Sequence, residues 1–157
     1  MFCRMLPLVS RLVEDPRPPL RAAVVAMCGD FCLWMGGKWS AILLDVMLCC
    51  FRDKEEAVRA AAVRAVPHAV LALVKTAAIT ADAAEREGGG EGGGGSYRFE
   101  SIAKLFVSLI PAVCSMHSDM GISVRTALCR TLSQVLALLY AVSRKGTLST
   151  FLFLPKM

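Results

Sequence analysis

The sequence predicts an all-α fold, a row of helical hairpins stacked into an α–α superhelix, with about three hairpins and the start of a fourth. The first observation is a nine-residue grammar that occurs three times: Asp, four residues, a branched apolar residue, Arg, one residue, Ala. It reads Asp15…Leu20-Arg21-Ala22-Ala23, Asp53…Val58-Arg59-Ala60-Ala61 and Asp119…Val124-Arg125-Thr126-Ala127, with an Asp-to-Arg offset of six each time. The second is the period. Arg21 to Arg59 is 38 residues, one helical hairpin, and Arg59 to Arg125 is 66, one such period plus 28. A fixed period in this range marks a stacked array. The third is agreement at the flanks. Pro7 and Pro111 stand eight residues before the Asp, where the middle copy has Asp45, and Gly29, Pro67 and Ser133 stand eight after the Arg.

The elements follow in order. Residues 2–13 form a short amphipathic helix with Leu6, Val9 and Val13 on one side. Asp15-Pro16 opens the next helix, supplying an acceptor near the first free amides and a proline in the first turn. That helix runs from about residue 19 to 35 and stops at Gly36-Gly37. Residues 39–51 form the first helix of the second hairpin, with Ile42, Leu43, Val46, Met47 and Cys50 inward. Beyond Asp53, Glu55 and Glu56 place negative charge where the next helix dipole favours it, and Pro67 should bend that helix. Residues 82–96 hold seven of the twelve glycines and read as a flexible insertion. Residues 97–116 form the first helix of the third hairpin, with Ile102, Leu105, Phe106, Leu109 and Val113 inward. Residues 122–143 form the second, with Val124, Leu128, Leu132, Val135, Leu136 and Leu139 inward. The repeats thus lie at about 2–36, 38–81 and 97–145, and residues 147–157 open a fourth. Both ends fall inside a repeat, so a piece of a longer array is expected, with terminal faces that limit its solubility.

Composition narrows the function classes. The 157 residues are 55% hydrophobic, with a mean hydropathy of +0.54. The longest runs without Asp, Glu, Lys or Arg, 105–118 and 131–143, hold only 14 and 13 residues, short of a bilayer span of about 20. Ala-rich helices buried on two sides account for the hydropathy, and no membrane association is expected. The net charge of +5 comes from scattered Lys and Arg without a run of five, so no specific nucleic-acid interface is expected. Seven cysteines without a Cys-x-x-Cys pair read as small core residues of a reducing, cytoplasmic compartment. Cys28 and Cys32, four apart, are at most half of a zinc site. Only His68 and His117 are available as general bases, so neither catalytic residues, metal nor cofactor are expected.

A proline in the first helix, an Asp turn and a second helix opening Val-Arg-x-Ala resemble the HEAT repeat. The likeness covers nearly all of the chain outside the insertion. Within that family it is most similar to scaffold and regulatory subunits of protein phosphatases 2A and 4, on the texture of Glu14-Asp15-Pro16 and Leu20-Arg21-Ala22-Ala23. The resemblance implies a ladder between neighbouring repeats made by Asp15, Arg21, Asp53, Arg59, Asp119 and Arg125. It also implies that the turn residues Arg17, Lys54, Glu55 and Met120 face a protein partner. The expected function is a non-catalytic scaffold, a regulatory or scaffold subunit that holds a phosphatase catalytic subunit; a transport receptor or other adaptor is the alternative. A metal-dependent HEAT enzyme is disfavoured, because no His-Glu pair recurs from repeat to repeat.

Overall fold

A computed structural model of the chain describes residues 5–35, 37–86 and 109–145. These contain six α-helices, two short 3₁₀ turns and no strand, an all-α fold. The helices are α1 (Leu6–Leu12), α2 (Pro18–Met35), α3 (Gly37–Cys49), α4 (Glu56–Arg86), α5 (described over 109–115) and α6 (Ile122–Lys145). A 3₁₀ turn closes α3 at Cys50–Arg52, and another closes α5 at Met116–Ser118. Each runs into an extended aspartate of the same shape, Asp53 at φ −61°, ψ 143° and Asp119 at φ −61°, ψ 138°. The repeated sequence thus produces a repeated backbone.

The longest helix, α4, packs on α2, α3 and α6, while α2 also meets α3 and α1. Its alanines make this multiple contact possible. Ala60, Ala61, Ala62, Ala65, Ala69 and Ala72 are all buried and keep the helix thin on several sides. Between them Val58, Val63, Val66 and Val70 are fully enclosed, each burial contributing roughly 1.5–3 kcal/mol. Helix α4 comes close to α2 at Gly29. A Cβ there would stand 2.8 Å from the Ala65 Cβ, so even alanine would force the two helices apart.

Helix α4 passes through Pro67 without a break in its helical run. Proline has no amide proton, so the Val63 carbonyl four residues earlier loses its helical donor. Thr131 of α6 replaces it, its buried hydroxyl donating to Val63 O at 2.8 Å. A similar repair serves the end of α2, where buried Ser40 of α3 donates Oγ–H to the Cys32 carbonyl at 3.2 Å.

Four sequence expectations are corrected. Helix α2 ends at Met35 as expected, but α3 begins at Gly37 rather than at residue 39. Helix α4 extends to Arg86, through residues 82–86 that had been given to the insertion, because Ala83-Ala84-Glu85-Arg86 are strong helix formers and the glycines start later. Leu136 is 63% exposed and Ile42 37% exposed; α6 turns Leu138 and Thr131 inward instead, and α3 turns Leu44 inward. Finally, the stretch Glu56–Thr76, 21 residues of mean hydropathy 1.5, is long and apolar enough to cross a bilayer by length and composition. Arg59 and Arg64 hide it from a count of charge-free runs, and 67% of its apolar window is buried by the rest of the fold. Residues 87–108 and 146–157 lie outside the described residues. They hold the rest of the insertion, the inward positions Ile102, Leu105 and Phe106, and the opening of a fourth repeat.

Candidate functional site

The three Asp turns share one set of bonds. In each, the aspartate Oδ1 accepts the amide two residues on: Arg17 N–H at 2.9 Å, Glu55 N–H at 2.9 Å and Gly121 N–H at 2.7 Å. In each, the arginine six residues later reaches back and donates Nη1–H to the aspartate's own carbonyl. These distances are 2.7 Å for Arg21 to Asp15 O, 2.8 Å for Arg59 to Asp53 O and 2.6 Å for Arg125 to Asp119 O. The offset of six is therefore the reach of one guanidinium from the first turn of a helix to the loop before it.

The other edge of the guanidinium joins one copy to the next. Arg21 donates Nε–H and Nη2–H to the two Asp53 oxygens at 2.7 and 2.8 Å. Arg59 does the same to Asp119 at 2.6 and 2.9 Å. Both bridges are bidentate, the geometry that suits a planar guanidinium and a carboxylate. They are also sheltered, with side chains between 6% and 16% exposed. The guanidinium of Arg21 holds the Asp53 carboxyl below its ordinary range, and Arg59 does so for Asp119.

The two ends of this series differ. Asp15 is gripped by Arg17 of its own turn, Nε to Oδ1 at 2.9 Å and Nη2 to Oδ2 at 3.1 Å, which lowers its pKa to about 2. Among the described residues Arg125 hydrogen-bonds the carbonyls of Asp119 and Met120, at 2.6 and 3.1 Å. Among the described residues no carboxylate meets its Nε and Nη2. Thus Arg21, Asp53, Arg59 and Asp119 are brought together as bridges, whereas Asp15 and Arg125 are not bridged to another copy.

The two bridges bring the three turns side by side along one edge. Between the first two lies a shallow depression of about 530 Å³, lined by Val13, Asp15, Pro16, Arg21, Asp53 and Lys54. Met120 is 92% exposed and Lys54 is exposed. The Arg17 side chain is 72% exposed even while it holds Asp15. Glu55 is half-buried, its amide tied to Asp53, so it offers less surface than its place in the turn implies. One contact was missed in the sequence: Glu56 of α4 accepts the Ser123 amide at 2.9 Å and also the Ser123 hydroxyl, capping α6 from the neighbouring copy. Its signal was available in the acidic first turn of α4, but the partner lies 67 residues away.

Among the described residues no group of three or more His, Cys, Asp and Glu could hold a metal ion. His117 Nδ1 lies 2.7 Å from the Cys114 carbonyl, and His68 Nδ1 lies 3.4 Å from Asp30 Oδ1. Cys28, Cys32 and Cys50 are buried, and burial pushes their thiols up to about 12, 11 and 11 respectively. Such groups stay protonated and act as packing. No family model, curated protein or solved structure matches this chain.

Proposed function

We propose that the chain is a HEAT-type α-solenoid and works as a non-catalytic protein-binding scaffold, a regulatory or scaffold subunit for a Ser/Thr protein phosphatase. The observation that carries the stacking half is the bidentate Arg–Asp bridge made twice with the same atoms, Arg21 to Asp53 and Arg59 to Asp119. The order of packing supports it too, since the second helices of the three copies meet in sequence, α2 on α4 and α4 on α6. The binding half follows from what the stack leaves outside. With Arg21, Asp53, Arg59 and Asp119 consumed in bridges, the edge offers Arg17, Lys54 and Met120 to a partner. The mechanism is positional: a rigid ladder fixes the spacing of the turns, and the turns hold a catalytic subunit near its substrate. The phosphatase assignment rests on the sequence resemblance.

The test is surface plasmon resonance of the purified chain against a phosphatase 2A-type catalytic subunit. Saturable binding that is lost on combining Lys54→Glu with Met120→Glu is expected. Absence of binding removes the phosphatase assignment, and binding that survives both substitutions moves the interface off the turns.

A further inference from the structure

Two helix faces that mate inside the chain recur unmated at its opposite ends. The first face is read at offsets of four, eight and eleven from each ladder arginine. In α2 these positions are Val25, Gly29 and Cys32, and in α4 they are Val63, Pro67 and Val70; all are buried. In α6 the same offsets give Cys129, Ser133 and Leu136, and all three are exposed. The second face is read at offsets of two, six and thirteen. Ala61, Ala65 and Ala72 of α4 are buried, as are Ala127, Thr131 and Leu138 of α6. In α2 the equivalents are Ala23, exposed, Met27, half-buried, and Trp34, 84% exposed.

The mating rule between the faces is explicit. Ala65, at offset six, packs on Gly29, at offset eight of the preceding copy. Thr131, at offset six, bonds the carbonyl of Val63, at offset four of the preceding copy. Each such contact is accompanied by a bidentate Arg–Asp bridge. The exposed face of α6 comes with a guanidinium edge, on Arg125, that no described carboxylate meets. The exposed face of α2 comes with an Asp turn whose carboxylate is held by the exposed Arg17.

We propose that a second copy of this chain docks head to tail on the exposed face of α6, its Asp15 carboxylate leaving Arg17 for the Nε and Nη2 of Arg125. The exchange swaps one guanidinium for another, so the bond count at Asp15 is conserved while Leu136 and the second copy's Trp34 leave water. The contact is heterologous and does not close on itself, so association extends to chains of copies as concentration rises. The proposal rests on the stacking proposed above and adds the identity of the occupant.

Sedimentation velocity of the full chain over a wide concentration series tests it. The expected result is an average mass that climbs with concentration. Leu136→Asp, at a position already exposed, should keep its helical circular dichroism and weaken association about tenfold or more. Arg17→Ala should tighten association by freeing Asp15. Arg125→Asp should weaken it, and adding Asp15→Arg to that variant should restore it. A chain that stays monomeric throughout overturns the proposal, as does association that Leu136→Asp leaves unchanged. Failure of the stacking itself would be read separately, as loss of energetic coupling between Arg59 and Asp119 within one copy.

Discussion

At the scale of single residues the two bridges hold because each bridging arginine serves both its own turn and the next. Arg59 divides its donors between the Asp53 and Lys54 carbonyls of its own turn and the Asp119 carboxylate of the next. Arg59→Ala should therefore cost about 1–2 kcal/mol of stability, solvent screening holding the value down. Asp53 and Asp119 titrate below the ordinary aspartate value of 3.8 in the folded chain, because each accepts two guanidinium hydrogen bonds. Their contribution is complete above that value and is lost as pH falls through the lowered folded pKa. Urea unfolding across the acid range should thus show a stability gap between wild type and Asp119→Asn that is widest near neutrality. The gap should close progressively below pH 3.8. The thiols divide by burial in the same way. A thiol reagent should modify exposed Cys49, Cys114 and Cys129 in the native protein well before buried Cys28, Cys32 and Cys50, as peptide mass spectrometry would report.

At the scale of elements the telling case is the crossing of α4 and α6. Pro67 was legible in the sequence as a disturbance inside a helix, but its remedy was not, because Thr131 lies 64 residues beyond it. The structure has a continuous α4 whose orphaned Val63 carbonyl takes a hydroxyl from α6. Thr131→Val should therefore destabilise the chain by about 1–3 kcal/mol, the cost of a buried acceptor left without a donor. In a Pro67→Ala background the restored amide serves Val63, and the same substitution should cost far less. Additive effects in a thermal-unfolding cycle would contradict the repair. Helix ends were legible to within a few residues where a special residue fixes them, as Asp15-Pro16 fixes the start of α2. The end of α4 was placed too early, because the change of texture at residue 81 reflects composition and not loss of helix propensity.

For the whole molecule, the repeat grammar revealed more than the hydrophobic pattern did. Of the six residues for which the resemblance implied a ladder, Arg21, Asp53, Arg59 and Asp119 are joined in bridges, while Asp15 and Arg125 are not bridged to another copy. Apolar periodicity assigned Leu136 to the core, because it cannot tell a face covered by a neighbour from the same face left open. The alanines of α4 allow its neighbours to come close, as Ala65 does against Gly29. What remained illegible was the difference between the ends. Arg17 grips Asp15, and Arg125 meets no described carboxylate, although the local grammar of all three copies is the same. The central claim is that the copies lie in register, Arg21 bridged to the Asp53 carboxylate and Arg59 to that of Asp119. The most direct measurement is a set of double-mutant cycles by urea unfolding over Arg21–Asp53, Arg59–Asp119 and Arg21–Asp119. Clear and similar coupling in the first two pairs, with additivity in the third, is the predicted result; additivity across either bridge would contradict it.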